Sequence, residues 1–320
     1  MKLLSLLVVL PLVLGIWGVA QTAASAEGEK SFTAESDDLG LVVKTPDGRT
    51  MFRYMTKKPA DTKLTANSVC CLFPVNTPSG ERVVDFAPPD HPHHRGVFLA
   101  WHAIAGPKAA DFWGWGEFAP KENRIIENRD ARVVKANQGG AELAVRNDWV
   151  AEGQTLIEEA TTIAASEDRG AYVIDLDFQL NPRADLTLQE TAFGGFCVKS
   201  RQEGKSAYYG PDGRVDLPNP HHLKPETDWP AKDWYAYTVA LDAGKTFTVA
   251  VVDHPENPPS TWHNLQPIAM INPCIVAPGP VELKAGEPLR LRYRLVVHDG
   301  PPQTDMLKKL AADWRGIATR

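Results

Sequence analysis

Three of the chain's nine histidines fall within four positions, in Asp90-His91-Pro92-His93-His94-Arg95-Gly96. Imidazole titrates near neutral pH, so His91, His93 or His94 can give or take a proton. An acid precedes the cluster, an arginine follows it, and an apolar run, Val97-Phe98-Leu99-Ala100-Trp101, begins at once. Asp253-His254-Pro255 repeats the Asp-His-Pro triplet, again directly after apolar residues, Val251-Val252. If the two strand ends meet at one rim, His91, His93, His94 and His254 share a site. The plainer alternative is that each aspartate caps a turn through an Asx-type hydrogen bond.

Acid-base work on a sugar needs a carboxylate partner. Glu190 stands at an expected strand end before Gly194-Gly195, where backbone can approach a ligand. The expected catalytic group is therefore His93, His94 or His254 with Glu190 or Asp253. Asp90, Arg95, Asp111, Trp113, Asp253 and Trp262 are the expected substrate-binding residues. Arg95 would meet a hydroxyl, carboxylate or keto oxygen, and Trp113 and Trp262 would offer exposed rings to stack on a sugar face. Loops 106–121 and 211–232 would wall a cleft.

Two other readings use the same residues. Imidazole and carboxylate also bind zinc, copper or iron, and His91, His93 and His254 would form the metal set of an oxygenase-type enzyme. No His-Glu-x-x-His pattern supports a zincin site. The third reading is a glycan-binding module without catalysis. The sequence specifies no cofactor.

The elements that must position these residues are strands. Pro46-Asp47-Gly48, Asn137-Gln138-Gly139-Gly140, Glu167-Asp168-Arg169-Gly170, Asp242-Ala243-Gly244 and Lys284-Ala285-Gly286 are turns between apolar runs. Tyr172, Ile174, Leu176, Phe178 and Leu180 alternate with Val173, Asp175, Asp177 and Gln179, the pattern of a sheet buried on one face. Asp175 and Asp177 then belong to the solvated face. By the same parity His94, Phe98 and His102 share one side of a strand over 97–104. Only the end is helical: Met306, Leu310, Trp314 and Ile317 fall on one face, with Thr304 as the expected N-cap. Many short strands without strand-helix alternation give an all-β fold, a large antiparallel β-sandwich with a short C-terminal helix.

Composition narrows the partners. The 320 residues carry a net charge of -6, and no polybasic segment offers a nucleic-acid footprint. Lys2, the apolar run Leu3 to Ala20 and Ala24-Ser25-Ala26 read as a signal peptide over 1–26, cleaved after Ala26. Residues 27–38 are expected to be a flexible polar segment and 39–320 a single domain. The protein is thus expected to be exported, periplasmic or secreted, without a membrane span after cleavage. Its partner would be a small-molecule or oligosaccharide substrate. Export permits disulfides among Cys70, Cys71, Cys197 and Cys274, but buried free thiols explain them equally well.

Taken in order, Asp90 to Gly96, Asp111-Phe112-Trp113-Gly114, Gly194-Gly195-Phe196, Asp253-His254-Pro255 and Arg292-Tyr293-Arg294-Leu295-Val296-Val297-His298-Asp299-Gly300 resemble the bacterial PmoA-like family, over about Leu41 to Gly300. The family's name is that of a methane oxygenase. The membrane subunit of that name spans the bilayer several times, and no run after the signal has spanning length. The resemblance implies an exported β-sandwich of largely unknown function. The implied fold is similar to that of the sugar-binding supersandwich proteins, such as the aldose epimerases. There a histidine and a glutamate do general acid-base work, but no motif of this chain aligns with theirs residue by residue.

Overall fold

A computed structural model describes residues 30–115, 122–216 and 229–316. The expected signal peptide, Gly116 and Glu117 of the aromatic loop, most of loop 211–232 and Ile317 lie outside the described residues. Two antiparallel sheets dominate. The seven-stranded sheet runs, in order, Thr33–Ser36, Gly40–Lys44, Thr50–Met55, Cys71–Val75, Val97–Ala100, Gly195–Lys199 and Met270–Ile271. The nine-stranded sheet runs Gly213–Val215, Lys205–Gly210, Trp234–Ala240, Thr246–Asp253, Leu289–Asp299, Ala171–Pro182, Gln154–Asp168, Gly140–Ala151 and Arg124–Asn137. The fold is all-β, a sandwich with one short C-terminal helix.

The core lies between the sheets. Phe52, Leu72, Leu99 and Phe196 of one meet Leu143, Ile163, Leu176, Phe178 and Tyr293 of the other. Phe196 stacks on Tyr293 with ring centres 4.2 Å apart, so an aromatic pair joins the two layers. The alternation over 172–180 puts Tyr172, Ile174, Leu176, Phe178 and Leu180 into this core. On the other face Asp175 accepts from Arg294 at 2.6 and 2.8 Å and Asp177 from Arg290 Nε at 2.8 Å, cross-strand ion pairs of a solvated surface. Val173 departs from the pattern: it is buried on that outer face, because the helix Thr304–Trp314 covers it with Met306, Leu307, Leu310 and Ala311. Thr304 is the first helical residue, and the N-cap is Gln303, which makes no side-chain cap bond.

Two further expectations are corrected, and of the two readings of the cysteines the structure shows the free thiols. Within the segment expected to be flexible, Thr33–Ser36 pairs with Gly40–Lys44 as an edge strand. The strand expected over 97–104 breaks at Trp101–Ala103, because Trp101 O accepts from both Phe112 N and Trp113 N of the following turn. All four cysteines are buried and free, and burial pushes the Cys70 thiol up to about 12, so it stays an uncharged core group.

Gly96 shows why the histidine motif ends in glycine. Its φ is +55°, and a Cβ there would lie 2.1 Å from the Leu72 carbonyl oxygen of the neighbouring strand. Gly96→Ala should therefore cost about 1–3 kcal/mol by overpacking and backbone strain. Urea unfolding checks this; Gly48→Ala, where nothing lies within 4 Å of the added Cβ, is the comparison for φ strain alone.

Candidate functional site

The histidine motif is a pair of tight turns. His91 N donates to Pro88 O at 3.1 Å, His94 N to His91 O at 2.9 Å, and Ala87 N to His94 O at 2.9 Å closes the loop. The prolines at 88, 89 and 92 suit a segment with few ladder bonds to give. The turns gather the three rings: His91 stacks on His94 at 5.1 Å, His93 meets His94 edge-on at 4.5 Å, and His91 and His93 are 5.7 Å apart.

These rings form one wall of a cleft of about 160 Å³. Trp115, Phe193, His263, Leu265, Ile268 and Met270 complete it. Trp115 is 39% exposed, so it presents an aromatic face. Phe193 lies 5.4 Å from Trp115 and 5.6 Å from His263, and it stacks on His102 at 4.5 Å. A cleft with four imidazoles and an aromatic rim suits a small molecule that offers both hydroxyls and an apolar ring face.

A hydrogen-bonded chain stands behind this wall. Asp90 Oδ2 is 3.0 Å from His91 Nδ1 and accepts from Gln202 Nε2, also at 3.0 Å. Burial raises the Asp90 pKa, but the hydrogen bonds from His91 and Gln202 outweigh it and leave it below its ordinary value. The carboxylate is thus held charged, and it directs the Nδ1 proton of His91 toward itself. His94 is nearly enclosed; burial, with the neighbouring His93 and His91, holds its pKa well below the usual value. It is a neutral ring in the wall, a poor acid near neutral pH. Burial also lowers His102, to about 4.

Arg95 holds the wall in place. It has no exposed surface. Its guanidinium donates to the carbonyls of His93 at 3.3 Å, Trp113 at 3.1 Å and Phe112 at 3.1 Å, and lies 4.4 Å over the Phe98 ring. The expected role in substrate binding is corrected: both Nη groups serve the backbone. Asp111 is likewise buried, and its Oδ1 accepts from Gly114 N at 2.8 Å as a turn cap. Trp113 and Trp262 are 0% and 1% exposed, so neither offers a free face. Trp113 packs against His94, Phe98 and Phe193, and Trp262 against Tyr235. The exposed ring is Trp115, two residues beyond the expected one.

Glu190 is exposed and does not line the cleft. The glycines after it serve packing: a Cβ at Gly194 would lie 2.9 Å, and one at Gly195 3.3 Å, from the Trp101 ring. Asn272 holds this turn, with Nδ2 donating to Gly194 O and Phe196 O at 3.0 and 2.6 Å and Oδ1 accepting from Gly194 N at 3.2 Å.

The second Asp-His-Pro triplet does not join the first. His254 packs edge-on against Trp314 at 5.0 Å and lines a separate cavity of about 220 Å³ with Asp253, Ser260 and Arg315. The two cavities share no lining residue. Asp253 accepts from Asn257 Nδ2 at 2.6 Å and Ser260 Oγ at 2.8 Å, so here the turn-capping alternative describes the geometry. Burial pushes its pKa up to about 6, although both hydrogen bonds oppose the shift. The metal set His91, His93 and His254 is not assembled, and among the described residues no three His, Cys, Asp or Glu side chains are placed to hold a metal ion.

Sequence reasoning missed His263 and Phe193, which reach the cleft from connecting segments beside the strands Thr261–Trp262 and Gly195–Lys199, and Gln202. It also missed Glu159, enclosed between the sheets and accepting from Asn147, Trp149 and Thr161 at 2.7 to 2.8 Å. Its strand shows only ordinary alternation; the signal would have been an acid at an inward parity position.

A family model described as "Family of unknown function (DUF6807)" matches residues 42–312. The chain belongs to that family. The resemblance to a PmoA-like, methane-oxygenase family is corrected accordingly: the matching family is one of unknown function, and no curated protein matches this DUF6807 chain. Similar solved structures include a galactose mutarotase related enzyme from Lactobacillus acidophilus, at 8% identity and TM-score 0.36, covering 83% of this chain and 97% of that one. An α-galactosidase from Lactobacillus brevis, at 8% identity and TM-score 0.42, covers 89% of this chain and 42% of that one. An α-galactosidase from Geobacillus stearothermophilus, at 10% identity and TM-score 0.40, covers 85% and 39%. The sandwich assignment rests on the two sheets of the DUF6807 chain itself. Among its described residues no helix is long and apolar enough to cross a membrane.

Two measurements follow from the buried charges. Arg95→Leu leaves three carbonyls without their donor and, at about 1–3 kcal/mol for each one left buried and unsatisfied, should destabilise the protein by roughly 3 kcal/mol or more, read by urea unfolding. Asp253 has a folded pKa of about 6 against roughly 4 unfolded. The folded state therefore binds more protons between those values, and this carboxyl disfavours folding increasingly as pH rises from about 4 to about 6. Asp253→Asn should remove that slope, so the variant gains stability relative to the parent across this window in thermal melts; a constant difference across it contradicts the assignment.

Proposed function

We propose that the protein is an exported carbohydrate-active enzyme that binds a small sugar in the cleft of His91, His93, His94 and His263 and uses imidazole acid-base chemistry on it. The observation that carries the reading is the Asp90–His91 hydrogen bond of 3.0 Å in the wall of a cleft rimmed by a half-exposed tryptophan. A carboxylate on Nδ1 leaves Nε2 as the basic nitrogen. Trp115 would stack on the apolar face of a sugar ring, and the imidazoles would meet its hydroxyls.

In this reading His91 removes a proton from a substrate hydroxyl or from a carbon beside a carbonyl. His93, whose ring centre is 5.7 Å away, returns a proton on the other side of the reacting bond. Epimerase, lyase and hydrolase chemistry all use such a base and acid. His94, Arg95, Asp111 and Trp113 support the wall rather than touch the substrate.

The test is a panel of neutral sugars, keto sugars and uronates with product analysis. For a substrate so identified, His91→Ala and His93→Ala should each lower kcat by roughly 10²-fold or more, with weaker effects on KM. Trp115→Ala should mainly raise KM. Unchanged turnover in both histidine variants sinks the assignment, and binding without any turnover in the parent protein favours a glycan-binding module instead.

A further inference from the structure

Behind the cleft wall, Lys199 is fully buried in the seven-stranded sheet. It makes no ion pair within 4 Å of a carboxylate among the described residues; its Nζ instead donates to Gln202 Oε1 at 3.0 Å and to Ser200 O at 3.2 Å. A buried lysine aimed at a neutral amide is an expensive arrangement if it only fills space. Gln202 is exposed, yet both ends of its amide are engaged: Nε2 donates to Asp90 Oδ2 at 3.0 Å and to Pro267 O at 2.7 Å. Pro267 precedes Ile268, which lines the opposite wall of the cleft.

We propose that Lys199 and Gln202 are positioning residues that fix the tautomer of His91 through Asp90, by the unbroken chain Lys199–Gln202–Asp90–His91. Donor and acceptor identity orients every group of the chain. An ammonium has donors only, so the amide oxygen of Gln202 must face Lys199. Its NH₂ group then faces Asp90 and Pro267. Asp90, a carboxylate that can only accept, is held against His91 by this amide, so Nδ1 of His91 carries the ring proton and Nε2 is the base; without the amide the exposed carboxylate is free to turn away from the ring. The same amide ties the histidine turn to the 266–268 segment, so the spacing of the two walls and the state of the ring are set together.

The charged and titratable groups around the chain are consistent with this role. Asp85 and Asp90 both favour the charged form of Lys199, against burial, which lowers its pKa to about 8. On the other side His91 faces the His93 and His94 rings. The proposal extends the acid-base reading of the cleft only in its consequence for turnover; the tautomer itself is a property of the free protein.

The test is ¹⁵N–¹H correlation of the histidine rings in the ligand-free protein, at a pH where His91 is neutral. The parent protein should show His91 protonated on Nδ1, the tautomer opposite to that favoured by free imidazole side chains. Lys199→Met and Gln202→Leu should each shift it toward the Nε2-protonated form, and Asp90→Asn should lose the Nδ1 preference. Lys199→Arg, which keeps donors toward Gln202, should retain it. Gln202 is exposed, so Gln202→Leu remains informative if a change at the buried lysine impairs folding. An unchanged His91 tautomer in folded Gln202→Leu overturns the proposal, as does an Nε2-protonated ring in the parent. Once a substrate is known, Gln202→Leu, two hydrogen bonds from His91, and Lys199→Met, three from it, should each lower kcat/KM, by less than the roughly 10- to 100-fold expected for a partner bonded directly to the reacting group. A tautomer shift with no sugar turned over by the parent keeps this inference and removes the acid-base reading; turnover that depends on His91 with an unmoved tautomer does the reverse.

Discussion

A guanidinium with no exposed surface holds the candidate site together. Arg95 stands at the junction of the histidine turn, the 111–114 turn and the strand Val97–Ala100, and it donates to a carbonyl from each side of that junction. Burying a full positive charge is costly unless its donors are met, and the planar fork of arginine can meet several carbonyls at once. The Phe98 ring beneath it adds the face of an aromatic quadrupole. With these contacts His93, His94 and Trp113 are packed as one body, and the imidazoles keep their spacing without depending on a ligand.

The two Asp-His-Pro triplets show how neighbours decide what a motif does. At Asp90 the carboxylate meets an imidazole and an amide beside an open cleft. At Asp253 it meets Asn257 and Ser260 of its own loop, and the adjoining histidine packs on Trp314. Asp253 ends a strand and caps the turn after it, whereas Asp90 lies within a turn and bonds the side chains of His91 and Gln202. Only the first is connected to several imidazoles lining one space. The difference comes from topology: Asp253 ends a strand of the nine-stranded sheet, while Asp90 lies in the turn leading to Val97–Ala100 of the seven-stranded sheet.

Much of the fold was legible because strand pairing leaves a period in the sequence. The alternation over 172–180 and the Gly-containing turns were enough for an antiparallel sandwich. Val173 broke the pattern because a distant helix covers it, and no local period carries that information. The site was legible in part. Histidine density marked one wall, but Arg95, Asp111 and Trp113 looked like ligand-binding residues by type and proved to be internal supports. Residue type does not report burial, and a buried arginine or tryptophan reads the same as an exposed one. Phe193, Gln202 and His263 were missed for the opposite reason: each is unremarkable in its own connecting segment and gains its place only when the fold brings those segments together.

On the proposed function, the reacting molecule sits in the His91 cleft and not in the cavity beside Asp253. A crystal structure of the protein soaked with a sugar that it turns over, or with the product, tests this most directly. The expected result is a sugar ring against Trp115 with a hydroxyl or carbonyl oxygen within roughly 3 Å of His91 Nε2. A sugar bound at Asp253 and Arg315, with the His91 cleft unchanged, would contradict it.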